Sequence, residues 1–81
     1  MSLTELHQLL TAVEAGLADT RGHAQRARSL LGEARQALVD VQATADPWLP
    51  AQYAQADEGL DQLLVRLASA GDLVSGCRSR L

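Results

Sequence analysis

Lysine, asparagine, isoleucine and phenylalanine are all missing from this chain, and each absence removes possibilities. With one tyrosine, one tryptophan and few valines, there is no stretch where β-branched or aromatic residues alternate with polar ones long enough to make a pleated strand. The single cysteine, Cys77, excludes an intrachain disulfide and any cysteine-cluster zinc site. No apolar run approaches the roughly 18 residues of a membrane-spanning helix. Met1-Ser-Leu-Thr-Glu5 offers no basic start of a conventional signal peptide, so cytoplasmic residence is the expectation unless another export route serves the chain. Every basic side chain is an arginine, and 7 of them against 10 acidic residues leave a formal charge of -3. That balance argues against nucleic acid or an anionic membrane surface as the main partner. Codons of a GC-rich genome produce this set of missing residues.

What remains is dominated by 15 leucines and 14 alanines, both strong helix formers. Alternating steps of three and four from Leu3 give Leu3, Leu6, Leu10, Val13, Leu17, Thr20, Ala24, Ala27, Leu31, Ala34, Leu38, Val41 and Ala45, apolar throughout except Thr20. The count restarts as Leu49, Tyr53, Ala56, Leu60, Leu63, Leu67, Ala70, Val74, Cys77 and Leu81. A repeat averaging 3.5 residues keeps one seam on one side of a helix. The phase slips where Pro47 and Pro50 stand, and a helix cannot pass smoothly through both. The spacing therefore predicts an all-α antiparallel hairpin forming one domain over residues 1-81, with helices at about 3-45 and 50-79. Ser2 and Glu5 form a capping box with Met1 placed to staple against Leu6, and Asp46 can cap the second helix. Gly22 offers an alternative: a break there would give a three-helix bundle.

At about 1.5 Å per residue the first arm is roughly 65 Å long and the second about 45 Å. The second arm reaches back to about Gly16, which leaves Leu3, Leu6, Leu9, Leu10 and Val13 without an intramolecular partner, and such a patch marks an interface. Leu9, Leu30 and Ala37 widen the first seam and Leu64 and Leu73 the second, making both faces too broad for one partner helix. The middle of the first helix is thin at Gly16, Thr20, Ala24 and Ala27, so another helix can approach closely. The expectation is a homodimer or helical heterodimer completing a four-helix bundle, with Leu3, Leu6, Leu9, Leu10, Val13, Leu17, Trp48, Tyr53, Leu60, Leu63 and Leu67 as interaction residues.

Catalytic chemistry has little to work with. His7 and His23 lie too far apart to share a metal, and neither has a helical ligand partner at the right spacing. Arg21, Arg28 and Arg35 each follow a seam position; with Arg26 they could form a nucleic-acid stripe, but no aromatic residues interleave. The plainer expectation is that their stems cover the seam and their charges meet acids of the second helix, for instance Arg35 with Asp61. Asp57, Glu58 and Asp61 sit in early turns of the second helix, where the helix dipole favours negative charge. No phosphate loop, nucleophile elbow or zinc spacing occurs, so the chain reads as non-enzymatic, with no metal and no cofactor. Cys77, on the seam, is expected to pack as a small buried hydrophobe.

Both prolines, the tryptophan and the tyrosine crowd into Asp46-Pro-Trp-Leu-Pro-Ala-Gln-Tyr-Ala-Gln-Ala-Asp57. A tryptophan at the corner of a short helical hairpin resembles the WXG-type small proteins of type VII secretion, across the whole chain. Tyr53-Ala-Gln-Ala-Asp57 has the spacing of that family's Tyr-x-x-x-Asp/Glu export signal. Pro50 stands where the family has Gly, and the Tyr53 motif begins the second helix where the family's signal follows its end. The Ala/Leu-rich hairpin is also similar to the helical N-terminal segments of actinobacterial polymorphic toxins. Either resemblance implies an interaction or delivery module with a toxin or secretion partner, exported by a type VII-like route. Two further readings are a small nucleic-acid-associated protein using Arg21, Arg26, Arg28 and Arg35, and a docking subunit of an enzyme complex using Leu3 to Val13.

Overall fold

A computed structural model describes residues 1–81 and contains two helices, α1 (Leu3–Gln42) and α2 (Ala51–Ser79), folded back on each other as an antiparallel hairpin. The N-terminus of α1 begins where the sequence says it should. Ser2 is extended, and its Oγ accepts the Glu5 N–H at 3.1 Å. The other half of the capping box does not form, and Met1 stays exposed instead of stapling against Leu6. The helix runs through Gly22 without interruption, so the hairpin prevails over the three-helix alternative. Gly22 keeps a negative φ and meets no atom within 4 Å of a Cβ built on it, so it sits there as an ordinary solvent-facing helical residue.

Three residues earlier than expected, α1 stops because Ala43 turns left-handed, with φ 47° and ψ 42°. Thr44 Oγ1 then accepts the Asp46 N–H at 3.1 Å, bending the chain toward the prolines. Asp46 does not cap α2; Pro50 holds the N-cap position, and no side chain bonds to the helix start. Gln42 closes the corner instead. Its Nε2 donates to the Trp48 carbonyl at 2.7 Å and to the Leu38 carbonyl at 3.1 Å, and its Oε1 accepts the Trp48 N–H at 2.8 Å. One side-chain amide thus satisfies both polar groups of a residue in the turn, as a second strand would, and ties the end of α1 to the approach of α2.

Every seventh residue is common to the expected seam and the observed one: Leu10, Leu17, Ala24, Leu31 and Leu38 on α1, and Tyr53, Leu60, Leu67 and Val74 on α2 are all buried or half-buried. Ala24, at the middle, is the single fully buried residue. The rows between them differ from expectation. A helix turns 100° per residue, so from a side chain aimed at the partner helix the residue three on lies 60° to one side and the residue four on lies 40° to the other. The +4 row lies nearer the partner: Glu14, Gln42, Leu64, Gly71 and Arg78 are half-buried, though Arg21, Arg28, Arg35 and Asp57 between them are exposed, whereas in the +3 row only Leu6 and Ala70 are half-buried and Val13, Val41, Leu63 and Cys77 are exposed. Cys77 is therefore not a core thiol. In an antiparallel pair the +3 sides of both helices fall on the same side of the hairpin, and so do the +4 sides. The molecule has two unlike faces.

Candidate interaction surface

The +4 face is polar and closes on itself. Arg28 Nη1 lies 2.9 Å from Asp61 Oδ1, and its Nε 3.8 Å from Asp57 Oδ1. Farther from the corner, Arg78 Nε approaches Glu14 Oε1 to 3.1 Å, without the alignment of a directed hydrogen bond. These pairs are roughly half-exposed and set register more than stability. Arg28, not Arg35, takes Asp61; Arg35 lines a shallow groove beside Leu31, Tyr53 and Asp57. The arginine line expected from the sequence is therefore interrupted at its centre by carboxylates, and Asp57 of the Tyr53 motif is one of them.

The +3 face is apolar and open. On α1 it carries Val13, Thr20, Ala27, Ala34 and Val41, backed by the adjacent row Leu9, Gly16, His23, Leu30 and Ala37. On α2 it carries Ala56, Leu63, the half-buried Ala70 and Cys77, backed by a mixed row of Gly59, Arg66 and Leu73. Val13 is 48% exposed, Val41 82% and Leu73 75%. The hydroxyl of Thr20 donates to the Gly16 carbonyl at 2.9 Å, so it makes no demand on a partner. Neither the +3 row nor the adjacent row of α1 carries an acidic residue; Glu5, Asp19, Glu33 and Asp40 lie one row farther round α1, at its rim, and Glu14, Asp57 and Asp61 belong to the opposite face.

The arms are unequal, but α2 reaches past Gly16 to pair with Glu14, and Leu6 and Leu10, expected to lack an intramolecular partner, are half-buried. The molecule is 62 Å long and about 15 Å across, and its last inter-helix ion pair, Glu14 to Arg78, marks where α2 runs out. Beyond it Leu3 is 57% exposed and Leu9 nearly as much. The radius of gyration is 18.6 Å, against about 12 Å for a compact domain of this length. A monomer of 8.6 kDa ordinarily exposes about 4700 Å², and this one exposes 6043 Å².

The residues expected to mediate interaction separate into three groups. Leu10, Leu17, Tyr53, Leu60 and Leu67 are half-buried, on the rows shared by the two helices. Leu3, exposed, and Leu6, half-buried, lie at the start of the longer arm. Leu9, Val13, Leu63 and Trp48 stay exposed and available. Trp48 is 69% exposed and its indole N–H has no partner; only its main chain is held, by Gln42. Gln42 is the structural residue that sequence reasoning missed. No cluster of three or more potential metal ligands forms, and neither helix is long and apolar enough to cross a membrane. Comparisons with protein-family models, with curated proteins and with solved structures find no match.

Proposed function

We propose that this chain is a non-enzymatic helical assembly module, whose task is to pack against another helical surface and complete a four-helix bundle. The observation that carries the reading is the uneven distribution of apolar groups. A hairpin that buries one residue of 81 fully leaves Leu9, Val13, Leu30, Val41, Leu63 and Leu73 exposed along one side. Apolar residues gathered on one side, as opposed to scattered singly, mark an interaction surface. The biological setting follows from the resemblance to type VII and toxin-associated hairpins: a partner protein in secretion or toxin delivery, contributing an interaction surface and no chemistry.

Size-exclusion chromatography with light scattering, run from about 1 to 100 µM, tests the reading over the range where interfaces of ordinary size are populated. A mass of at least twice 8.6 kDa, alone or once a helical partner is added, is the expected result. A chain that remains a monomer at every concentration, with a cooperative melt and no partner bound, contradicts it.

A further inference from the structure

We infer that the open +3 face docks a second copy of this chain, antiparallel, with α1 lying along α1 of that copy about a two-fold axis at His23. The inference rests on the reading of the chain as an assembly module and specifies the surface, the occupant and the register. Three observations converge on it.

The first is area. The surplus of exposed surface is about 1300 Å² per chain, measured against the scaling for compact monomers. Standard interfaces take about 800 Å² from each partner, and permanent homodimers upward of about 1000 Å². A second copy, with an equal surplus, matches what this chain leaves uncovered.

The second is self-complementarity. A two-fold axis requires that whatever residue i meets on the second copy, the converse contact also occurs. His23 stands at the midpoint of Leu3–Gln42 and on the open face. Centring the axis there brings Leu30 to Gly16 of the second copy and Leu9 to Ala37, each large side chain opposite a small one. The neighbouring row pairs Leu6 with Val41, Val13 with Ala34 and Thr20 with Ala27. A Cβ added at Gly16 meets nothing within 4 Å inside its own hairpin, so that hollow is free to receive Leu30. Small residues along the crossing let the helix axes approach closely, and the two rows that meet carry no carboxylate; Asp19, four residues before His23, stays at the rim.

The third is the arms. In this arrangement each N-terminal arm lies over the corner of the other copy, so Leu3 and Leu6 come to the exposed Val41 and Trp48. A two-fold axis along the molecule would instead leave both arms projecting at one end, side by side, with both corners bare.

Disulfide trapping in a Cys77→Ser background distinguishes these outcomes. His23→Cys sets two thiols across the axis and should form covalent dimer under mild oxidation, at least about tenfold faster than Leu9→Cys, whose two thiols would lie about 40 Å apart. The double variant Leu9→Cys with Ala37→Cys should link the copies as well, which keeps the test decisive if His23→Cys fails to fold. Light scattering on the same reduced samples reports assembly separately. A dimer in which Leu9→Cys links as readily as His23→Cys, or in which the Leu9/Ala37 pair does not link, overturns the antiparallel arrangement and leaves the assembly reading standing. Samples that stay at 8.6 kDa overturn both.

Discussion

Replacing Gln42 by alanine should loosen the corner while leaving the helices intact. The side chain makes three contacts, at 2.7, 2.8 and 3.1 Å, two of them to the main chain of Trp48. Each net hydrogen bond of this kind contributes about 0.5–1.5 kcal/mol, and water can reach the Trp48 groups once the amide is gone, so the lower half of the range applies. Counting the two bonds to Trp48, the expected loss is about 1–2 kcal/mol, or about 5–12 °C in melting temperature for a domain this small. Melts followed by far-UV circular dichroism must be run at one fixed protein concentration, because association shifts the midpoint. Fluorescence of Trp48, the sole tryptophan, reports the corner directly and should change before the helical signal does. Gln42→Glu keeps the size and the acceptor for the Trp48 N–H but sets a carboxylate against the Trp48 and Leu38 carbonyls, and should cost more than Gln42→Ala near neutral pH. Should Gln42→Ala melt within a degree or two of the parent, with Trp48 emission unchanged, the corner is held by the prolines alone and the argument for a side-chain clamp fails.

Ala43→Gly should stabilise the chain by up to about 1 kcal/mol in the same melts, since Ala43 holds a left-handed conformation that its Cβ disfavours; a loss would mean that the turn tolerates alanine without strain. Gly22→Ala should stabilise by about 0.5–1 kcal/mol, because the site is helical with open space around it, and should leave the oligomer's mass unchanged. A destabilised Gly22→Ala would point to a break in α1 at that position. Arg28→Ala should cost less than about 1 kcal/mol at low salt, and the difference should shrink toward zero in 1 M sodium chloride, where surface pairs are screened.

Much of this architecture is legible in the residues themselves. The periodic leucines, the two prolines and Ser2 account for two helices, their corner and the first cap, and the unequal lengths account for the projecting arm. The rows flanking the seam are harder to read because stepping by three then four, or by four then three, passes through the same every-seventh residues. Counting apolar residues selects the first path, through Val13, Leu63 and Cys77. The hairpin takes the second, through Glu14, Arg28, Asp57 and Arg78, because long charged side chains can lay their stems beside the contact and pair their ends in water. The apolar row that looked like core is thereby left as surface. Gln42 gives no local signal, since its partner is the main chain of Trp48 and becomes visible only once the turn is built. Ala43 likewise stands where glycine would announce the end of a helix.

The dependence of the thermal midpoint on concentration tests the central claim, that the hairpin leaves one face uncovered until a second copy packs on it. Between about 0.5 and 500 µM the midpoint should rise by on the order of 10 °C, because folding and association are then one equilibrium. A midpoint that stays constant across that range, in a chain that melts cooperatively at the lowest concentration, would mean that the hairpin is stable by itself with the open face bare.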